Sequence, residues 1–207
     1  MRCNTIAGVL VATSVIIAGC SGGGESRPSA SSEQSSSPLS SPTVAALPHS
    51  GAPSVRDPLP ASVLVGNPCE EALTATQVEV ALGEVVVGEP DTISTGPTCD
   101  WGRAETGAAI HVGYVTETHQ GLSAVYANTR PQSRVWRPLP PIQGFPAVAH
   151  AGGAQGYCAV SVGLANDLSV DISGFLGYEK EGKVDPCDAV AQLADMVVTT
   201  LRKKAGE

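Results

Sequence analysis

Four cysteines, Cys69, Cys99, Cys158 and Cys187, do most to restrict how this chain can fold. A disulfide holds its two Cα atoms within about 7 Å, so each bond made among them joins stretches that are far apart in sequence. An even number in an exported chain implies two disulfides, and four cysteines allow three connectivities. Cys69 and Cys187 each open a helical pattern, whereas Cys99 and Cys158 each open a strand pattern. The spacing favours Cys69–Cys99 and Cys158–Cys187, each tying a helix N-terminus to a strand. Pairing helix with helix and strand with strand stays open. Closing loops of roughly 30 residues contributes about 3–4 kcal/mol each. None of the four is spaced as Cys-x-x-Cys, so the pattern points away from a redox pair and from a structural zinc site.

The premise of export comes from the N-terminus. Met1-Arg2 is a short positive segment, and Ile6 to Ala18 is an uncharged, largely apolar run. That run is too short to span a hydrocarbon core of about 30 Å, and has the length of an export signal. Ile17-Ala18-Gly19-Cys20 then resembles the bacterial lipobox: a branched residue, two small ones that let a peptidase approach, and a cysteine that takes diacylglycerol. Residues 1–19 are expected to be a signal peptide and Cys20 the lipid-attachment site. Each buried acyl CH₂ contributes about 0.8 kcal/mol, so two or three chains anchor stably where one does not. Between Ser21 and Pro48, 17 of 28 residues are Ser, Gly or Pro. Such a segment buries too little apolar surface to offset its ordering entropy. Residues 20–62 are therefore expected to be a tether and residues 63–207 a single globular domain.

Without residues 1–19 the chain keeps 11 basic against 20 acidic side chains, a formal charge of −9. Phosphate-backbone binding needs a positive surface, so nucleic acid is not an expected partner. Apolar residues make up 42% and aromatics 4%, which implies a core built from Val, Ala, Leu and Ile.

Within 63–207, Asn67-Pro68-Cys69-Glu70 reads as a capped helix start. Thr74-Ala75-Thr76-Gln77 is a capping box running to a stop at Gly83. Residues 84–88 read as a short strand, followed by a loop over Pro90, Gly96 and Pro97. Ala108 to Thr116 alternates, with Ile110, Val112 and Tyr114 on one face. Residues 119–129 carry Leu122, Val125 and Tyr126 at helical spacing. Val135-Trp136 and Phe145 to Ala149 read as strands on either side of a breaker at Pro138 to Pro141. Cys158 to Leu164 and Leu168 to Ile172 alternate about a turn at Asn166-Asp167, a hairpin. Asp185 opens a last helix with Val190, Ala194, Val197, Val198 and Leu201 on one stripe, and Arg202, Lys203 and Lys204 at its end suit the helix dipole. The expected fold class is α+β: an antiparallel sheet with helices packed on one face, stapled by two disulfides.

Chemistry-bearing motifs are few. There is no Gly-x-Ser-x-Gly, phosphate-binding glycine loop, Ser-x-x-Lys or His-Glu-x-x-His. His49, His111, His119 and His150 are not at zinc-ligand spacing, and Glu70-Glu71 reads as a solvated helix start. No catalytic residue, metal or cofactor is expected. Trp101, two residues after Cys99, is expected to pack against a disulfide. Trp136 lies between Arg134 and Arg137 and close to Arg130, and these four residues are the candidate face for an anionic or carbohydrate ligand. The alternative is a half-buried strand tryptophan whose arginines guard a sheet edge.

Taken in order, the lipobox, the Ser-rich stretch, Asn67-Pro68-Cys69, Leu73-Thr74, Leu82-Gly83 and Gly96 to Trp101 form a recognisable series. Gly144 to Ala147, Cys158 to Val162 and Asp185-Pro186-Cys187 complete it. The series resembles the actinobacterial lipoproteins of domain-of-unknown-function family 3558. Asn67 stands where that family usually has Asp, and caps equally well. The resemblance implies an outward-facing protein lipid-anchored in the cell membrane of a high-GC Gram-positive bacterium, and supplies no catalytic residue. The expected function is that of a non-enzymatic binding or accessory module with an envelope ligand or protein as partner. A cell-envelope hydrolase with a site assembled from scattered residues is the alternative.

Overall fold

The computed structural model describes residues 46–207. The expected signal peptide, Cys20 and the first part of the expected tether lie outside the described residues. Among the described residues, no helix is long and apolar enough to cross a membrane.

Seven strands form one antiparallel sheet. They are β1 (Glu89–Ile93), β2 (Gly96–Arg103), β3 (Ala108–Val115), β4 (Val135–Ile142), β5 (Phe145–Ala151), β6 (Tyr157–Gly163) and β7 (Ser169–Leu176). The order β1-β2-β3-β7-β6-β5-β4 shows two meanders, of three and four strands, meeting where β3 pairs with β7. The chain leaves the sheet centre after β3, crosses to the far edge and works back. Short hairpin connections account for every other step, as antiparallel neighbours allow.

Helices α1 (Pro68–Glu71), α2 (Ala75–Leu82) and α4 (Pro186–Ala205) cover one face of this sheet. Their starts follow the local chemistry of the sequence. Asn67 Oδ1 accepts from Cys69 N at 2.9 Å. Thr74 and Gln77 exchange side-chain-to-backbone bonds of 3.2 and 2.7 Å. Asp185 Oδ1 accepts from Cys187 N at 2.7 Å, satisfying one of the orphan donors at the start of α4. Gly83 ends α2 at φ +85°, a left-handed turn that side chains resist. The register sets Cys99, Val112, Ile172, Val160 and Ala149 side by side across five strands. All five are buried, under a stripe of Val190, Ala194, Val197, Val198 and Leu201 from α4. Lys204 at the end of α4 pairs with Glu71 and so fastens α4 to α1.

Both disulfides join the favoured partners, Cys69 to Cys99 and Cys158 to Cys187, with Cα–Cα distances of 5.1 and 5.0 Å. Each ties a helix start to a strand. Trp101 is buried on β2, and both its Nε1 and the Cys69–Cys99 sulfurs crowd Gly88.

Several local expectations need correction. Residues 84–88 are not a strand: Val85 and Val87 are exposed and have no partner, because β-branched propensity forms a strand only against a neighbour. The strand begins instead at Glu89, opposite Asp100, and carries Pro90 on the sheet's outer edge. Pro138 and Pro140 do not break the chain either. They lie inside β4, the opposite edge strand, where an unused N–H is no loss. The helix expected over 119–129 shrinks to one α turn, α3 (Leu122–Ala124), continued by a π turn (Val125–Thr129) and a 3-10 turn (Arg130–Gln132). Pro131 has no N–H to give and would crowd the carbonyl four residues back, so the coil cannot continue as an α-helix.

Packed chain also begins before residue 63. His49 N donates to Ser123 Oγ at 3.0 Å, Val55 N to Asn166 Oδ1 at 2.9 Å, and Leu59 N to Leu164 O at 2.9 Å. Leu59 is buried. Isolated apolar residues among prolines are diluted in composition, yet Val55 fills the space beside Gly163. α3 and the stretch around Ala52 pack on the second face of the sheet, where Leu122, Val125 and Val148 form a small separate core.

Candidate functional site

Alternation along β4 divides the arginine–tryptophan cluster. Arg137 turns toward α4, where its two terminal nitrogens meet Asp188 at 2.7 Å and Asp185 at 3.4 Å. Trp136, one residue earlier, turns to the second face. There His150 is its direct partner on β5, with the two rings stacked 6.1 Å apart. Tyr126 from the π turn meets the Trp136 ring edge-on at 5.0 Å. The Arg130 guanidinium carbon lies 5.7 Å from the ring centre, in cation–π range. Arg134 donates its backbone N–H to Ala151 O at 2.9 Å and lays its side chain against Gly153. Arg130, Arg134 and Trp136 are thus brought together, and Arg137 is separated from them by the thickness of the sheet.

His150 continues the cluster inward. Its Nε2 is 3.1 Å from Ser161 Oγ, and Ser161 in turn faces the Asp171 carboxyl. Ser161 lies on β6 directly opposite Asp171 on β7. Burial pushes the Asp171 carboxyl above the usual carboxylate range, against the opposing pull of Ser161, His150 and His111. Asp171 Oδ1 is buried with no hydrogen-bond partner among the described residues. Burial likewise lowers the His150 pKa, with Asp171 opposing, so the imidazole is neutral at neutral pH. Farther along, His111 Nδ1 meets Asp100 Oδ1 at 2.8 Å on the exposed side of β2 and β3. The polar row lies on the second face of the sheet, opposite α1, α2 and α4, and its members Ser161 and Asp171 are covered.

Ser161 is not placed for nucleophilic attack. It sits between the imidazole and the carboxylate and is 1% exposed, so its hydroxyl connects two groups rather than facing a substrate. Its effect is to hold the His150 ring in one orientation at the surface.

A groove of about 460 Å³ opens beside that ring. Asn128, Thr129, Gln132 and Ser133 form one wall, and His150, Ala151, Gly152 and Tyr157 the other. The first wall comes from the π and 3-10 turns, held by Gln132 Nε2 to Asn128 O at 2.8 Å and Ser133 Oγ to Thr129 O at 2.9 Å. No carboxylate lines it. A second groove of about 270 Å³, between α2, α4 and the ends of β3 and β7, is mainly apolar, with Lys180 and Asp188 as its charged members. Among the described residues, no group of three or more His, Cys, Asp or Glu side chains is placed to hold a metal ion.

Arg130, Arg134 and Trp136 were legible as neighbours in sequence. Asn128, Tyr157, Ser161 and Asp171 were not singled out. Their one sequence signal is polarity at the outward positions of alternating strands, above all Ser161 and Asp171 in the middle of the clearest hairpin.

A family model described as "Protein of unknown function (DUF3558)" matches residues 15–200. None of the curated proteins and none of the solved structures matches the chain.

Proposed function

We propose that this chain, which belongs to the DUF3558 family of proteins of unknown function, is an exported binding or accessory module, held by a lipidated Cys20 on the outer face of the cell membrane. The observation that carries this reading is how the cysteines divide. Ile17-Ala18-Gly19-Cys20 leaves one at a lipobox, and the four in the folded domain are all consumed in two disulfides. Disulfides persist where the compartment is oxidising, and a lipobox cysteine is modified during export to such a compartment. The Ser/Gly/Pro stretch that follows Cys20 would then act as a spacer of roughly 35 Å or less between membrane and domain. The module is read as non-enzymatic, and Arg130, Arg134 and Trp136 supply the face it presents to an envelope ligand.

Metabolic labelling with a fatty-acid precursor tests the anchor. Wild-type chain is expected to take up label and fractionate with membranes, and Cys20→Ala is expected to do neither. Equal labelling of the two overturns the reading.

A further inference from the structure

We propose that the groove at the end of β7, lined by Phe175, Tyr178, Gln155 and Glu181, is a binding site for a neutral carbohydrate. It shares no residue with the face of Arg130, Arg134 and Trp136 and does not depend on the anchor, so it goes beyond the binding-module reading.

The placement of the aromatic rings is the first support. The chain has two Trp, two Phe and four Tyr, and all but two of these side chains are buried or half-buried. The two exceptions are Phe175, 45% exposed, and Tyr178, 72% exposed. Both line the same groove, of about 380 Å³. Exposed apolar residues scattered singly over a surface carry no message, but two open rings meeting in one concavity mark a place where something docks.

The second support is that both rings are held before any ligand arrives. A Cβ on Gly107 would lie 2.7 Å from Tyr178 Cζ and 3.1 Å from each of its Cε atoms. Equal distances to the two Cε atoms, with Cζ nearest, put the Gly107 backbone against a face of the ring. One face therefore rests on the turn between β2 and β3, and the other looks outward. Tyr178 N donates to Thr106 O at 2.9 Å in that same turn, and Leu176 N donates to Gly156 O at 3.1 Å in the loop between β5 and β6. Phe175 is braced by Tyr157, with ring centres 4.9 Å apart and planes tilted by 47°. Rings fixed in this way lose little freedom on binding.

The polar members decide the ligand. The Gln155 amide both donates and accepts, and the Glu181 carboxylate accepts. Among the described residues Glu181 makes no ion pair. A sugar hydroxyl donates and accepts, so it suits either group. The C–H face of a pyranose carries slight positive charge and lies on an aromatic face, which is negative. An anion finds no cation in the lining, which holds one carboxylate and no Lys, Arg or His. A quaternary cation needs rings that enclose it. Here Tyr157 is taken up by Phe175 and one face of Tyr178 by Gly107, which leaves open platforms in place of a cage.

Full-length Cys20→Ala chain is titrated by calorimetry with maltohexaose, cellohexaose and mannohexaose, three neutral hexose chains, and with choline as the cationic competitor. Saturable binding of at least one of the sugars is expected, and none of choline. Tyr178→Ala and Gln155→Ala are each expected to weaken sugar binding about tenfold, the effect of losing one strong contact. Tyr178→Phe keeps the ring and is expected to keep the affinity. Val87→Ala, which removes an exposed apolar side chain outside the groove, is expected to leave binding unaltered. Gln155 is exposed in a loop, so its variant reads the site even if Tyr178→Ala disturbs the turn. No binding to any of the three sugars, binding of choline in their place, or sugar binding that ignores both alanine variants overturns the site. Labelling of Cys20 reads the anchor separately, so either inference can fail alone.

Discussion

Trp136 on β4 and His150 on β5 are directly opposed residues whose rings stack 6.1 Å apart. The indole is thus part of what keeps water from the imidazole, and burial is what lowers the His150 pKa. Trp136→Ala is expected to move that pKa up toward the ordinary value of about 6.5. Because the folded value lies below the unfolded one, the folded state favours neutral His150. Its contribution to stability is full above about pH 6.5 and falls as pH drops from there through the lowered folded value. In Trp136→Ala this acid-side loss should shrink. An NMR titration of the His150 ring proton checks the shift, and an unchanged pKa would show that the indole is not the cover.

Asp171 carries the opposite sign. Burial raises its carboxyl pKa, so the folded state favours the protonated form. The penalty is absent below the unfolded value of about 4 and grows as pH rises through the raised folded value. Asp171→Asn imitates the protonated acid and keeps an acceptor for Ser161. The variant is expected to be more stable than wild type at pH 7 and equal to it near pH 3. Urea midpoints at the two pH values give the comparison. Lower stability of Asp171→Asn at pH 7 would mean that the carboxylate is worth more to His150 and His111 than its burial costs.

How much of this was open to sequence reading depends on the range of the interaction. The disulfide partners were favoured because each cysteine marks the start of an element, and helix starts are local chemistry: Asn67, Thr74 and Asp185 all cap as their types require. The buried face of the sheet followed from alternation in β3, β6 and β7. What escaped depends on partners far along the chain. Pro138 and Pro140 look like breakers until β4 is known to be an edge. Residues 84–88 look like a strand until they are found to have no neighbour. Ser161 and Asp171 are ten positions apart in sequence, and only the β6–β7 register, with β5 beside it, lines them up with His150. The Arg137 side chain was grouped with Trp136 by proximity, and the pleat sends the two to opposite faces.

Removing the Cys158–Cys187 bond in a Cys158→Ala/Cys187→Ala variant frees a loop whose ends are 29 residues apart. The chain-entropy account puts the loss at about 3–4 kcal/mol. The bond also fixes the first turn of α4, which supplies Val190, Ala194, Val197, Val198 and Leu201 to the core. The urea unfolding midpoint is expected to fall accordingly. A loss below about 1 kcal/mol would indicate that α4 is held by its apolar stripe alone.

Gly88 has a packing role that its neighbours define. A Cβ there would lie 2.8 Å from Trp101 Nε1 and 2.9 Å from Cys69 Sγ, and closer still to Cys99 Sγ. None of these atoms is the loose end of a flexible chain, since the sulfurs are bonded to each other and the indole is buried. Gly88→Ala is expected to destabilise the protein by about 1–3 kcal/mol, the usual range for overpacking a tight site. Gly102→Ala, where a Cβ meets nothing within 4 Å, is the matched control. Thermal unfolding of the pair reads the difference, and equal midpoints would show that the loop over 84–88 can shift aside.

β4 is the edge strand of the sheet on the side away from β1. It has one strand neighbour, β5, so its outer side would present free N–H and C=O groups to any other extended chain. Pro138 and Pro140 are both on this strand, Pro138 opposite Val148 and Pro140 in the irregular stretch between Leu139 and Ile142. A proline nitrogen cannot donate to any strand, so these positions are tolerated on an edge strand and leave it short of donors. Pro138→Thr/Pro140→Thr restores two N–H groups at the edge without adding apolar surface. The fold should persist, because the prolines already give the ladder to β5 no N–H at either position. Light scattering after size-exclusion chromatography is expected to show larger species than wild type at the same concentration, growing as concentration rises. An unchanged mass distribution would show that the charged and bulged parts of β4 are enough to keep the edge unpaired.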